Sequence, residues 1–363
     1  MSRSVRSICL SRRSLLTVAA AGTLALPPIR LRAAEQTFAV TELAQDFDGR
    51  AGIFGRAINR KATVVGIATT ELGPMAVRSR GETAWPLPSD GQPSIANAVN
   101  GAGTIAGSVA DRAATWTDDI HTMLAPFGED RTVAYAINSD GIVVGSADKG
   151  ANNGVALLWR DDEVIELPSL GGPASRAVAI NDDGLVVGFS TRDEAGEVVR
   201  AVSWIDGEVT DLGTLGGDLS TAFAVNERGV IVGSSTRDEG FSAVDHAMRV
   251  VDGEMERLEE IGAVKIRGRE ERVKLDRSVA QGINAGGDIC GAAMSVSEND
   301  PVSVALLWLD GAAIDLNNVI GKDNREIRLT SADGINDDRE IVCTGILLED
   351  EDPQPRLFRL MPT

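Results

Sequence analysis

The residue types that do acid–base or metal chemistry are scarce in this chain. Histidine occurs only at His121 and His246. A multi-histidine metal site cannot be built from two, and there is no H-E-x-x-H, C-x-x-C or G-x-S-x-G. Neither histidine has a sequence neighbour that marks it as a base or ligand, so both read as structural. Gly101-Ala102-Gly103-Thr104-Ile105-Ala106-Gly107 comes near a dinucleotide fingerprint, but its third glycine falls one place late and a strand pattern follows where a helix is needed. The acidic pairs Asp182-Asp183 and Asp337-Asp338 could gather around calcium, which takes several carboxylate and carbonyl oxygens. No twelve-residue calcium loop accompanies them, and solvated turns are the plainer reading. No cofactor is expected, calcium being the one ion these turns leave open. Glu349 to Asp352, four acids in a row, reads as a solvated loop. Lys265 to Arg277 carries six bases against three acids, the one basic island in an acidic chain. It could dock an anionic partner, but a charge-mixed strand pair is the more ordinary reading.

A different set of positions is more informative. The sixteen-residue unit Pro173 to Gly188, PASRAVAINDDGLVVG, occurs in edited form seven times, and the copies can be numbered by Asn59, Asn100, Asn138, Asn181, Asn226, Asn284 and Asn336. Two and four residues before each asparagine stands Ala or Gly, and one before it Ile or Val. Three before it the residue varies: Arg56, Asn97, Tyr135, Val178, Phe223, Gln281 and Asp333. Where a repeat is constant it specifies a fold, and where it varies it is free to specify a ligand. A mixed polar and aromatic ring at these seven places would suit a small ligand or peptide. The competing reading is that they fill gaps between repeats.

The elements that would position this ring follow from the pattern. Alternation before the asparagine marks a strand whose small residues share one face, as expected where another backbone crowds close. Asparagine followed three residues later by glycine, as in Asn138 to Gly141 and Asn181 to Gly184, marks a hairpin turn whose side chain bonds back to the turn backbone and whose glycine is left-handed. A second strand, x-V-V-G, follows. A third ends near Trp116, Trp159, Trp204 or Trp308, and turns such as Asp206-Gly207 and Asp310-Gly311 lead to a fourth. Asparagine spacings of 41, 38, 43, 45, 58 and 52 match the roughly 40 to 50 residues of a four-stranded propeller blade. The expected fold is therefore all-β, a seven-bladed propeller of four-stranded blades. The chain stops before a fourth strand in the last repeat. Thr37 to Leu43 is the candidate to supply it and latch the ring, removing two exposed edges.

Asp211-Leu212-Gly213-Thr214-Leu215-Gly216-Gly217, followed by Ser220, Ala222, Ala224-Val225-Asn226 and Gly229, resembles the extracellular HAF-repeat family. The resemblance covers most of residues 36 to 363, with Leu167-Pro168-Ser169-Leu170-Gly171-Gly172 as a second linker of the same kind. The His-Ala-Phe signature itself survives only as His246-Ala247-Met248, and elsewhere as Val155-Ala156-Leu157, Arg200-Ala201-Val202 or Val304-Ala305-Leu306, which argues against a histidine function in the repeat. The resemblance implies a secreted repeat protein of propeller type and brings no activity with it.

At the N-terminus, Arg3, Arg6, Arg12 and Arg13 precede an apolar run from Leu15 to Leu26 and small residues at Ala33 and Ala34, a signal-peptide pattern. Ser11-Arg12-Arg13-Ser14-Leu15-Leu16 resembles a twin-arginine export signal, which carries folded proteins across a membrane. The expected organisation is a signal at 1–34 and one propeller domain at 35–363, periplasmic or extracellular. Removing the six arginines of residues 1–34 leaves 29 bases against 54 acids, a net charge of −25. Such a surface repels phosphate backbones and anionic lipids, so nucleic acid and membrane surfaces are not expected partners. No segment after residue 34 is long and apolar enough for the mature chain to be expected to span a membrane. The expected product is a monomeric scaffold for an extracellular protein, peptide or glycan. The alternative is a hydrolase or lyase acting on an extracellular polysaccharide or peptide. Two carboxylates or His121 converging in a central mouth would favour the enzyme, and an apolar and aromatic mouth would favour binding. Of the cysteines, Cys290 and Cys343 fall in matching strands of the last two repeats, where either a disulfide or two buried thiols is open, the thiols being the simpler outcome.

Overall fold

The computed structural model describes residues 36–45, 52–150, 154–237, 244–266, 271–297, 301–321, 324–350 and 353–363. Arg12 and Arg13, the residues expected to mark an export signal, lie outside them. Seven antiparallel sheets follow one another along the chain, each built from one repeat. Blade 4 shows the plan: Ser175–Ile180, Val186–Thr191, Val199–Ile205 and Glu208–Asp211 pair in simple up-and-down order. Blades 2, 3, 5 and 6 repeat it from inner strands Ser94–Val99, Arg131–Ile137, Ser220–Val225 and Arg277–Ile283. In blade 7 the order is Ile327–Ile335, Ile341–Leu347, Arg356–Pro362 and then Phe38–Glu42, so the first strand of the chain closes the last sheet. Phe38 faces Pro362 and Glu42 faces Phe358 across that antiparallel seam. The expectation that every blade has four strands needs one correction. In blade 1, inner strand Gly52–Ile58, the short strand Ala44–Gln45 adds in parallel to Thr83–Ala84 and makes a fifth. It does so because the chain leaves the seam with blade 7 at Leu43 and must pass the outer edge of blade 1 before turning inward.

The core is divided among the interfaces of neighbouring blades. Ala134 of blade 3 packs with Ala106 of blade 2, and Ala177 of blade 4 with Val144 of blade 3, in successive apolar clusters. The small residue four before each asparagine is thus set by the flank of the preceding blade. Gly55, its counterpart in blade 1, could not carry even a Cβ without coming within 2.7 Å of Val342 in blade 7.

Polar bonds tie the same interfaces. Ser175 and Ser220, six residues before their asparagines, accept hydrogen bonds from the backbone N–H of Ala156 and Ala201 in the blade before. Those alanines are the middle residues of Val155-Ala156-Leu157 and Arg200-Ala201-Val202. Trp159 and Trp204 donate from Nε1 to the carbonyls of Ala125 and Pro168 in the linkers that enter their blades. Lys265 and its neighbours form a separate two-stranded hairpin, Ala263–Lys265 with Arg272–Lys274, whose Val264, Ile266 and Leu275 pack on Val302 and Val304 of blade 6. No helix among the described residues is long and apolar enough to cross a membrane.

Cys290 and Cys343 are both buried and unbridged. They occupy neighbouring places in the repeat, since Cys343 stands where six blades have the glycine of x-V-V-G. At Gly188 an added Cβ would meet the Arg176 carbonyl oxygen at 1.9 Å. Blade 7 tolerates the side chain there because its inner strand has a second irregularity, between Leu329 and Ser331, which the other blades lack.

Candidate functional site

Every inner strand breaks register with its neighbour at the same point, three residues before the asparagine. The pairing skips from Ala177 to Ala179, from Ala222 to Ala224 and from Ala280 to Gly282, leaving Val178, Phe223 and Gln281 as the bulged residues. Arg56, Asn97, Tyr135 and Asp333 are bulged in the same way. A β-bulge re-aims the side chain of its extra residue. Here it turns seven variable side chains toward the axis, where they line one cavity of about 350 Å³ together with Gly55 and Val279. One residue from each blade can share a cavity only if that cavity lies on the ring axis.

The seven do not all point freely. The Asn97 Nδ2 donates to the Ala134 carbonyl at 2.9 Å, and the Gln281 Nε2 to the Ser331 hydroxyl at 3.2 Å, each reaching into the next blade. For these two the gap-filling reading holds. Asp333 accepts from the Thr344 hydroxyl at 2.6 Å, and burial pushes its carboxyl above the usual carboxylate range against the opposing pull of that bond. Tyr135 carries the Arg176 guanidinium over its ring at 5.1 Å. Arg56 is exposed, and Val178 and Phe223 are half-buried with no polar atom to place.

A second axial cavity, of about 280 Å³, lies at the turn end and is lined by six of the seven asparagines, all but Asn181, and by Ile58, Val99, Ile137, Ile180, Val225, Ile283 and Ile335. The Ile and Val before each asparagine therefore form an apolar collar on the axis, beyond their expected role as core strand residues. The asparagines themselves are all buried. Their Oδ1 atoms cap the turns, as Asn181 Oδ1 does for the Leu185 N–H at 2.9 Å. Their Nδ2 atoms do something the single repeat does not reveal: each donates to the backbone carbonyl of the asparagine in the following blade. The bonds run 59 to 100, 138, 181, 226, 284, 336 and back to 59, at 2.9 to 3.3 Å, closing a seven-membered ring. Invariance of Asn over Asp or Ser, which cap turns equally well, is the signal that a donor was needed too.

Asp182, Glu227 and Asp337 crowd this turn-side mouth. Each is engaged: Asp182 accepts from the Ser139 N–H and hydroxyl, Glu227 from the Asp182 N–H, and Asp337 from the Ala285 N–H and from Arg60 Nε. Burial, then the nearby carboxylates, raises the Glu227 carboxyl above its ordinary range. No group of three or more His, Cys, Asp or Glu among the described residues is placed to hold a metal ion. His121 lies on the outer strand of blade 2, 3.6 Å from Asp90, and the buried His246 meets Glu260 at 2.6 Å, so neither reaches the axis.

No family model matches the chain, and no curated protein matches it. Among solved structures, the extracellular domain of a one-component system from B. thetaiotaomicron is similar over 88% of this chain at 8% identity, with a TM-score of 0.48, and this chain covers 39% of it. A triple arginine-to-alanine mutant of AofleA from Arthrobotrys oligospora is similar over 77% of this chain and 88% of its own, at 11% identity and a TM-score of 0.34. An S. cerevisiae assembly of dbp5 with nup159 and gle1 contains a chain similar over 90% of this one and 96% of its own, at 10% identity and a TM-score of 0.33. All three likenesses are remote, and the seven sheets themselves establish the propeller.

Proposed function

We propose that this protein is an exported binding scaffold of HAF-repeat type that holds an extracellular peptide, protein or glycan ligand at the end of its axis lined by the bulged residues. One observation carries the reading: the seven positions at which the repeat differs from itself are the seven that meet in one cavity. A fold that needed only gap-filling there would be expected to repeat one kind of residue, as it does with Ala or Gly and with Ile or Val at the flanking places. Export is supported by Arg12 and Arg13 ahead of an apolar run. The bulge-side chamber holds a single carboxylate, Asp333, and no histidine. This is too little for paired acid–base work and suits binding.

The turn-side mouth meets the geometric condition set for an enzyme, since Asp182, Glu227 and Asp337 converge there. All three are spent on blade-to-blade bonds, which favours a structural role. Screening residues 35–363 against peptide and glycan arrays, with and without calcium, tests both readings. Retention of a ligand that Phe223→Ala weakens about tenfold supports the scaffold. Turnover of a glycan or peptide, lost in Glu227→Gln and Asp182→Asn, would replace it with the hydrolase or lyase.

A further inference from the structure

A larger cavity, of about 1030 Å³, opens between blades 3 and 4 on the side away from the asparagine turns, and Tyr135 lines both it and the axial chamber. It is at the upper end of small-molecule sites, about 300–1,000 Å³. Its centre is Arg176, on the inner strand of blade 4. The guanidinium lies over the Tyr135 ring at 5.1 Å and the Phe189 ring at 5.5 Å. Phe189 is the cross-strand partner of Arg176, and Tyr135 is the bulged residue of blade 3, so the stack is assembled across a blade interface. Cation–π contact holds a guanidinium by its face and leaves its edge of N–H donors for a planar anion. Among the described residues no ion pair engages Arg176, whereas the other cation in the groove, Arg131, meets Asp111 at 3.6 Å.

The charge left over identifies the ligand. With Arg131 and Asp111 paired, the groove offers one oriented cation, Arg176, and two carboxylates, Asp148 and Glu194. A polyuronate or nucleic acid would bring many negative charges to a groove with a single cation, in a chain of net charge −19. A ligand with one carboxylate and one or more ammonium groups complements it. We propose that the groove is a receptor site for the C-terminal end of a short basic peptide, its carboxylate bidentate on Arg176 and its lysine or amino group against Asp148 and Glu194. This site stands apart from the axial reading except through Tyr135.

The test is calorimetric titration of residues 35–363 with the tripeptide Ala-Ala-Lys, its C-terminal amide and tri-galacturonate. The free acid is expected to bind, and amidation, or Arg176→Gln in the protein, to weaken it by about tenfold or more, the worth of a hydrogen-bonded charge. Glu194→Gln combined with Asp148→Asn should weaken Ala-Ala-Lys and leave N-acetyl-Ala-Ala-Ala, which carries no ammonium group, unchanged. His121→Ala, on the outer strand of blade 2, should leave both unchanged. Circular dichroism melts of each variant separate lost binding from lost folding. Equal affinity for acid and amide, no effect of Arg176→Gln, binding of tri-galacturonate in place of the peptide, or no heat at millimolar peptide would each overturn the proposal. If an array ligand depends on Phe223 while Arg176→Gln changes nothing, the axial reading survives and the groove proposal falls. Peptide binding through Arg176 with no ligand found for the axis gives the reverse.

Discussion

Each repeated asparagine does two jobs with two atoms. In Asn181, Oδ1 accepts from the Leu185 N–H and Nδ2 donates to the Asn226 carbonyl, both inside the protein. Replacing it with alanine removes a turn cap and strands buried polar groups, so Asn181→Ala should destabilise the fold by about 1–3 kcal/mol, measurable by urea titration. Asn181→Asp keeps the cap but points a carboxylate at a carbonyl. It should be destabilised at neutral pH and recover as acid protonates it. The capping half of this account was legible in Asn-Asp-Asp-Gly. The donor half was not, because the acceptor lies one blade away and no local spacing reports it. Asp333 gives a pH prediction of definite sign. Its folded-state carboxyl is raised by burial, so the folded protein holds a proton that the unfolded chain releases. The stability it contributes is present below the ordinary carboxylate pKa and is lost as pH rises through the raised value. Asp333→Asn should therefore be more stable than the wild type at neutral pH, and the gap should close in acid. An unchanged difference across the titration would show that the Asp333 carboxyl is not shifted by folding and would contradict the raised value.

At the scale of strands, the closing seam and the glycine of x-V-V-G carry the architecture. Phe38 and Leu43 are 3% and 2% exposed. Deleting residues up to Leu43 should cost about 3–6 kcal/mol at about 1.5–3 kcal/mol for each buried apolar side chain. It also bares the edge of Arg356–Pro362, so the truncated protein should self-associate with concentration, which light scattering would detect. Gly188→Ala would force the Arg176 carbonyl aside and should cost about 1–3 kcal/mol or more in chemical unfolding. The reverse change, Cys343→Gly, should cost less, since removing a side chain pushes no backbone aside. The latch strand was legible because the last repeat lacks a fourth strand and the N-terminus has one to spare. The bulge was not. Strict alternation of small residues on either side of Val178 suggests a regular strand, and the extra residue shows only when the partner strand is counted against it.

Across the whole molecule, seven near-equal blades make a ring whose axis is lined at one end by the variable bulged residues and at the other by a constant collar of Ile and Val. The fold was legible almost entirely, because the repeat is copied seven times and copying averages out local ambiguity. The site was legible as a list of seven positions. Asn97 and Gln281 could not be told from Phe223 in sequence, since an amide bridging to the next blade and a side chain facing open space occupy the same place in the repeat. The Arg176 groove has no signature in the sequence, because Arg176, Tyr135 and Phe189 come from three strands of two blades. Hydrogen exchange read by mass spectrometry, on residues 35–363 with and without the ligand retained from the arrays, tests the binding account most directly. New protection is predicted on inner strands such as Arg131–Ile137, Ser175–Ile180 and Ser220–Val225, at the end that carries the bulged residues. Protection confined to outer strands such as Ile120–Met123 and Glu208–Asp211, or to the asparagine turns, would contradict it.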